Sequence, residues 1–181
     1  MTAKNNYLVI SSLGKDRPGI IDAFSRIISE LHCNIIDSRM TVLGGEFAML
    51  LMIEGPWNHL AKLEDQIAEM QRTLHLTIIS ARTEARGEAD NILPYVVEVV
   101  SLDHPGIVHQ LARFFSLRNI NIEDMNTTSY SAAHTGTQMF SVNISVGIPA
   151  NIQIAELREE FIEFCDTMNL DAVIEPHKGR F

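Results

Sequence analysis

The sequence predicts an α+β protein made of two copies of one unit, and three observations carry that prediction. The first is an internal repeat. Residues 16–22 read D-R-P-G-I-I-D and residues 103–109 read D-H-P-G-I-V-H, an offset of 87, with ten identities in 26 positions over 16–41. The second is that both copies show one order of hydrophobic periods, alternating where strands are expected and helical elsewhere. The third is a polar stretch, Thr83 to Asn91, between the two copies. The expected organisation is one unit over 1–84, a linker over 85–91 and a second unit over 92–181.

Each element follows from its residues. Tyr7–Leu13 and Tyr95–Leu102 are apolar, β-branched runs that suit strands. Asp-x-Pro-Gly follows each, and Pro near a first helical turn marks a helix start. Ile20, Phe24, Ile27 and Leu31 then recur at helical spacing, as do Ile107, Leu111 and Phe114. Second strands are expected over Asn34–Val42 and Asn121–Tyr130. Gly44-Gly45 signals a hairpin into Phe47–Glu54, and Met139–Gly147 is its counterpart. Second helices span about 57–72 and 152–168. Last strands cover Leu76–Arg82 and Leu170–Glu175. The order is βαββαβ twice, the ferredoxin-like split βαβ, with antiparallel sheets and both helices on one face.

The third strands differ in a telling way. In the second unit, Phe140, Val142, Ile144 and Val146 alternate with Ser141, Asn143 and Ser145. In the first, Phe47, Met49, Leu51 and Ile53 alternate with Ala48, Leu50 and Met52, so both faces are apolar. Val9 and Leu13 are expected on the same outer face. Such a patch on a folded surface marks an interface. The expectation is that this face is buried by the other unit or a second subunit, in a homodimer or higher oligomer.

Composition excludes several functions. The chain has 14 Lys+Arg and 23 Asp+Glu, a formal charge of −9, with no basic cluster. Nucleic-acid affinity comes mainly from cations on phosphates, so direct DNA or RNA binding is not expected, nor is an anionic membrane surface. No run reaches the ~18 apolar residues of a membrane helix. The polar start, Met1 to Asn6, does not read as a signal peptide. A cytoplasmic location is expected. Cys33 and Cys165 lack C-x-x-C neighbours and read as reduced, buried thiols.

Catalytic motifs are thin. There is no G-x-S-x-G elbow, no G-x-x-x-x-G-K-[ST] loop and no H-E-x-x-H. The seven histidines (32, 59, 75, 104, 109, 134, 177) have no metal-ligand spacing, so no metal or cofactor is expected. Glu156, Glu159, Glu160 and Glu163 fall on the polar side of an amphipathic helix.

What remains is a repeated set, Asp16/Pro18/Gly19 with Asn34 and Asp103/Pro105/Gly106 with Asn121. The expectation is that each first loop lies beside the start of the second strand. It would then join a carboxylate, a helix N-terminus and an Asn, the parts needed to hold a small zwitterion. The alternative is structural: Asp16 and Asp103 cap their helices, and the Asn residues only turn the chain.

The loops D-R-P-G-I and D-H-P-G-I, followed by C-N-I and I-N-I, resemble a tandem pair of ACT domains, regulatory modules that bind amino acids at domain interfaces. Y-L-V-I-S-S-L-G-K-D-R-P-G-I-I, C-N-I-I-D-S-R-M and L-G-G-E-F-A-M-L-L resemble the tandem-ACT repressors of glycine cleavage gene expression. That resemblance implies a non-enzymatic cytoplasmic regulator, responsive to glycine, that acts through a DNA-binding activator protein. It implies ligand contacts at Gly14, Asp16, Arg17 and Asn34, with counterparts Ser101, Asp103, His104 and Asn121. Gly14 against Ser101 and Arg17 against His104 make the two sites unequal. Two alternatives stand beside it: an ACT-type regulator of a metabolic enzyme in trans, and an acylphosphatase-like hydrolase, which needs a catalytic Arg in a phosphate-cradling loop. The stretch Ser129–Thr137 is a six-residue insertion of small polar residues, expected as a mobile loop.

Overall fold

A computed structural model of the chain describes residues 6–85, 87, 91–133 and 135–177. Of the linker expected over 85–91, Arg86 and Glu88–Asp90 lie outside the described residues, as do Met1–Asn5 at the start and His134 in the inserted loop. The chain divides into two compact units, Met1–Gly87 and Glu88–Phe181.

The first unit runs β1 (Asn6–Lys15), α1 (Ile20–Glu30), β2 (Asn34–Leu43), β3 (Glu46–Gly55), α2 (Trp57–Leu74) and β4 (Thr77–Thr83). The second runs β5 (Ile92–Leu102), α3 (Ile107–Ser116), β6 (Asn121–Ser131), β7 (Gln138–Pro149), α4 (Ile154–Thr167) and β8 (Asp171–Pro176). The sheets are antiparallel, in the orders β2-β3-β1-β4 and β6-β7-β5-β8. This is the βαββαβ architecture expected from the repeat. Among the described residues no helix is long and apolar enough to cross a membrane.

Alternation decides the faces. Leu8 and Ile10 of β1 and Phe47, Met49, Leu51 and Ile53 of β3 are buried against the helices. α1 contributes Ile20, Phe24 and Ile28 at i, i+4 and i+8, and α2 contributes Leu60, Leu63 and Met70. Phe24 is fully buried; its truncation to Ala would cost about 3–5 kcal/mol through lost burial and the cavity left behind. In the second unit Phe114, Phe115, Phe161 and Phe164 form an aromatic cluster between α3 and α4. Arg118 closes its rim: it donates to the Glu160 carboxylate and the Phe114 carbonyl and lies 3.7 Å from the Phe114 ring centroid.

The edge strands β2 and β6 carry the same irregularity. The pairing of β2 with β3 shifts between Ile35 and Asp37, and that of β6 with β7 between Ile122 and Asp124. Such a bulge switches which side chains face the core from that point on. Cys165 is buried, whereas Cys33 is only half-buried, a departure from the expectation for both thiols. Burial pushes the Cys165 thiol from the usual 9.0 up to about 12, and the neighbouring Asp166 charge adds to the shift. Burial also raises Cys33, partly opposed by the Arg82 cation.

Candidate functional site

The two Asp-x-Pro-Gly loops are built alike. The Asp16 N–H donates to the Gly45 carbonyl at 3.1 Å, and the Asp103 N–H to the Gln138 carbonyl at 3.0 Å. Each loop is thus pinned to the hairpin beside it. Gly19 and Gly106 then open the helices with φ of 93° and 101°, left-handed values that glycine adopts without a Cβ penalty. Asp16 and Asp103 do not cap their helices, and α1 and α3 start without a side-chain cap.

The second loop borders an open pocket of about 600 Å³, lined by residues 103–109 and Phe140. The Ser129 hydroxyl donates to the Asp103 carboxylate at 3.1 Å and so fixes one acceptor at its edge. His104 is exposed, and its Nδ1 lies 3.2 Å from the Pro105 carbonyl. The pocket thus joins a carboxylate, the positive end of a helix, two imidazoles (His104 and His109) and an apolar wall of Val108 and Phe140. A small molecule bearing both an ammonium and a carboxylate finds a partner for each charge there.

The expected juxtaposition of loop and Asn is corrected by the register. Asn34 stands opposite Glu54, while Lys15, the residue before Asp16, stands opposite Glu46. The eight residue steps from Glu46 to Glu54 span about 27 Å at the rise of an extended strand. Asn121 opposite Gly147 and Leu102 opposite Met139 show the same separation in the second unit. The cause is the crossover: a helix running back along the sheet returns the chain to the end where the first strand began. Within a unit, one small ligand cannot touch both the acid and the Asn.

Three further expected residues have structural occupations. A Cβ on Gly14 would lie 2.6 Å from Leu76 Cδ2 and 3.0 Å from the His75 carbonyl, so β1 and the segment leading into β4 leave no room for a side chain. Ser101, its counterpart, is buried, and its hydroxyl donates to the Leu102 carbonyl at 3.0 Å. The Arg17 guanidinium donates through Nη2 to the carbonyl of Leu74, the last residue of α2, at 3.0 Å. Ser129, which donates to Asp103, and His109 and Phe140, which line the pocket, are neighbours of the loop that the repeat did not reveal. Register against β7 places Ser129 and Ser101 opposite Phe140, information carried by pairing and not by sequence offset. Among the described residues no group of three or more His, Cys, Asp or Glu side chains is arranged to hold a metal ion.

Residues 6–80 match the ACT domain family. Over 172 residues the chain is 29% identical to the glycine cleavage system transcriptional repressor of Escherichia coli (strain K12), an alignment covering 95% of this chain and 90% of that protein. The Shigella flexneri protein of the same name matches to the same extent. A crystal structure assigned provisionally to a glycine cleavage system transcriptional repressor superposes with a TM-score of 0.72 at 26% identity, covering 97% of this chain and 99% of that one. A protein of unknown function from Galdieria sulphuraria superposes with a TM-score of 0.79 at 22% identity over 96% of this chain and 99% of that one, a likeness of fold. Residues 6–80 thus match the ACT domain, the second unit repeats the topology of the first, and over nearly its full length the chain resembles the glycine cleavage system transcriptional repressor.

Proposed function

We propose that this chain is a non-enzymatic regulator that senses a small amino acid, glycine foremost, and represses transcription of the glycine cleavage system through a DNA-binding partner protein. The observation that carries the ligand part is the pocket at the Asp103 loop, where a helix start without a side-chain cap and a fixed carboxylate stand together. The charge of −9 supports a protein partner over direct contact with DNA. The engagement of Arg17 with the Leu74 carbonyl speaks against an acylphosphatase-like role, because that chemistry needs the guanidinium free for a phosphate.

In this reading Asp103 accepts from the ligand ammonium and the N–H groups at the start of α3 receive its carboxylate. His104 closes the open side. Asp16, Arg17 and the start of α1 form the weaker counterpart, and Gly14 and Ser101 shape the backbone behind the two loops. Asn34 and Asn121 reach a ligand at such a loop only where a unit other than their own supplies the loop. A ligand changes the partner surface only to the extent that it binds one arrangement of the protein better than another.

Titration calorimetry of the full chain with glycine, then serine and alanine, tests the reading. Saturable binding that weakens at least tenfold in Asp103→Ala is the expected result. Absence of binding to every small amino acid would overturn it, and binding unchanged in Asp103→Ala but lost in Asp16→Ala would move the site to the first unit.

A further inference from the structure

The duplicated fold supplies its own control for the outer sheet faces. On β1, Leu8, Ile10 and Ser12 are buried, so Val9, Ser11 and Leu13 point to the side away from the helices. Register then reads the outer face row by row. Ile79, Ser11, Leu50 and Arg39 form one row. Ala81, Val9, Met52 and Asp37 form the next. The same places in the second unit hold Val173, Glu98, Asn143 and Asn126, and then Glu175, Val96, Ser145 and Asp124. One fold thus tolerates a polar, acidic outer face, and nothing in its architecture requires the apolar one. Yet Leu13, Leu50 and Ile79 stand 53%, 46% and 66% exposed. A contiguous apolar patch that folding does not need marks an interaction surface.

We propose that the occupant of this face is the same face of a second copy of the chain. Three observations select it. The apolar centre is rimmed by the ion pairs Lys15–Glu46 and Arg39–Asp37, so the face carries little net charge and does not repel itself. The outer face of the second unit carries Glu98, Asp124, Asp171 and Glu175, and seating it on Leu50 would strip water from these carboxylates. The size also suffices. Three ten-residue strands about 30 Å long and the seven-residue β4, about 20 Å, lie abreast at about 4.8 Å and present about 530 Å² per copy. Two such faces bury about 1,060 Å², just above the ~1,000 Å² that a biological interface must clear. Like faces meeting about a two-fold axis form a closed, self-complementary contact that stops at a dimer.

Sedimentation equilibrium of the full chain at micromolar concentration should return twice the chain mass. The variant Ser11→Glu/Leu50→Asn/Met52→Ser gives the first unit the residues the second already carries at those places, so the fold accommodates them. It should sediment as a monomer with unchanged circular dichroism, while Asn143→Ser stays dimeric. A monomeric wild type would overturn the proposal and leave the face to a partner of other sequence, and a dimeric triple variant would overturn it equally. Should the triple variant misfold, nitroxides on Ser11→Cys in a Cys33→Ala background decide. They should show spin–spin broadening between copies whose sheets pack about 10 Å apart, and labels on Glu98→Cys should not. Ser11 labels without broadening would refute the arrangement.

Discussion

Arg17 ties the loop after β1 to the end of α2: its Nη2 donates to the Leu74 carbonyl at 3.0 Å. A cation at a helix C-terminus meets both an unpaired carbonyl and the negative end of the dipole. The pair is solvent-exposed, which limits its worth to about 0.5–1 kcal/mol. Urea unfolding of Arg17→Ala should show a loss of that size, and His104→Ala should leave stability unchanged, since the His104 ring contacts only the adjacent backbone. An unchanged stability in Arg17→Ala would mean that the Arg17 link contributes nothing.

Gly14→Ala should destabilise by about 1–2 kcal/mol through overpacking. The new methyl meets the side chain of Leu76, which is buried and has little freedom to withdraw, and the His75 backbone carbonyl. Chemical denaturation is the measurement. A neutral result would show that the ends of β1 and β4 separate freely.

Gly106→Ala tests a different cost. Nothing lies within 4 Å of a Cβ built there, so space is not the problem. At φ 101° the backbone conformation itself is strained for any L side chain. The expected loss is about 1 kcal/mol or more, with weaker glycine binding because the start of α3 shifts. Gly19→Ala, at φ 93°, should cost the same stability while leaving the Asp103 pocket intact.

Ser129→Ala should weaken glycine binding two- to fivefold, less than Asp103→Ala does, because it frees the Asp103 carboxylate from its 3.1 Å hydrogen bond without removing it. Calorimetry on both variants checks the order. A larger loss for Ser129→Ala would make the hydroxyl, and not the carboxylate, the ligand's partner.

Cys165 should resist iodoacetamide in the folded protein at pH 8 and react at once in urea, because its thiol is held neutral up to about pH 12. The stability consequence has one sign. With the folded pKa above the unfolded one, Cys165 contributes unchanged stability below pH 9.0 and loses it progressively as pH rises towards 12. Cys165→Ala should remove that part of the alkaline decline, and an identical decline in the variant would show that burial of Cys165 plays no part in it.

Much of this molecule was open to reading as a string of residues. The offset of 87 exposed the duplication. Alternation through Phe47–Ile53 separated core side chains from outer ones, because side-chain direction along a strand is a local property. The apolar stripe of α1 and the glycine turns are local in the same sense. The position of β2 relative to the loop before it is not. That Asp16 and Asn34 stand at opposite ends of one sheet follows from the path of the crossover helix, which no offset between residues encodes.

By itself the sequence determined the two units, their element order, the likeness to ACT domains and the unequal outer faces. Each is written in spacing, period or residue type. Only the tertiary structure decided which neighbours share a site. It gave Gly14 and Arg17 to packing and capping, left the starts of α1 and α3 without side-chain caps, and brought Ser129 and Phe140 to the Asp103 loop. The physical reason is that these contacts join residues 26 and more positions apart through strand pairing and helix packing, and a pairing register is set cooperatively by the whole sheet and its bulges.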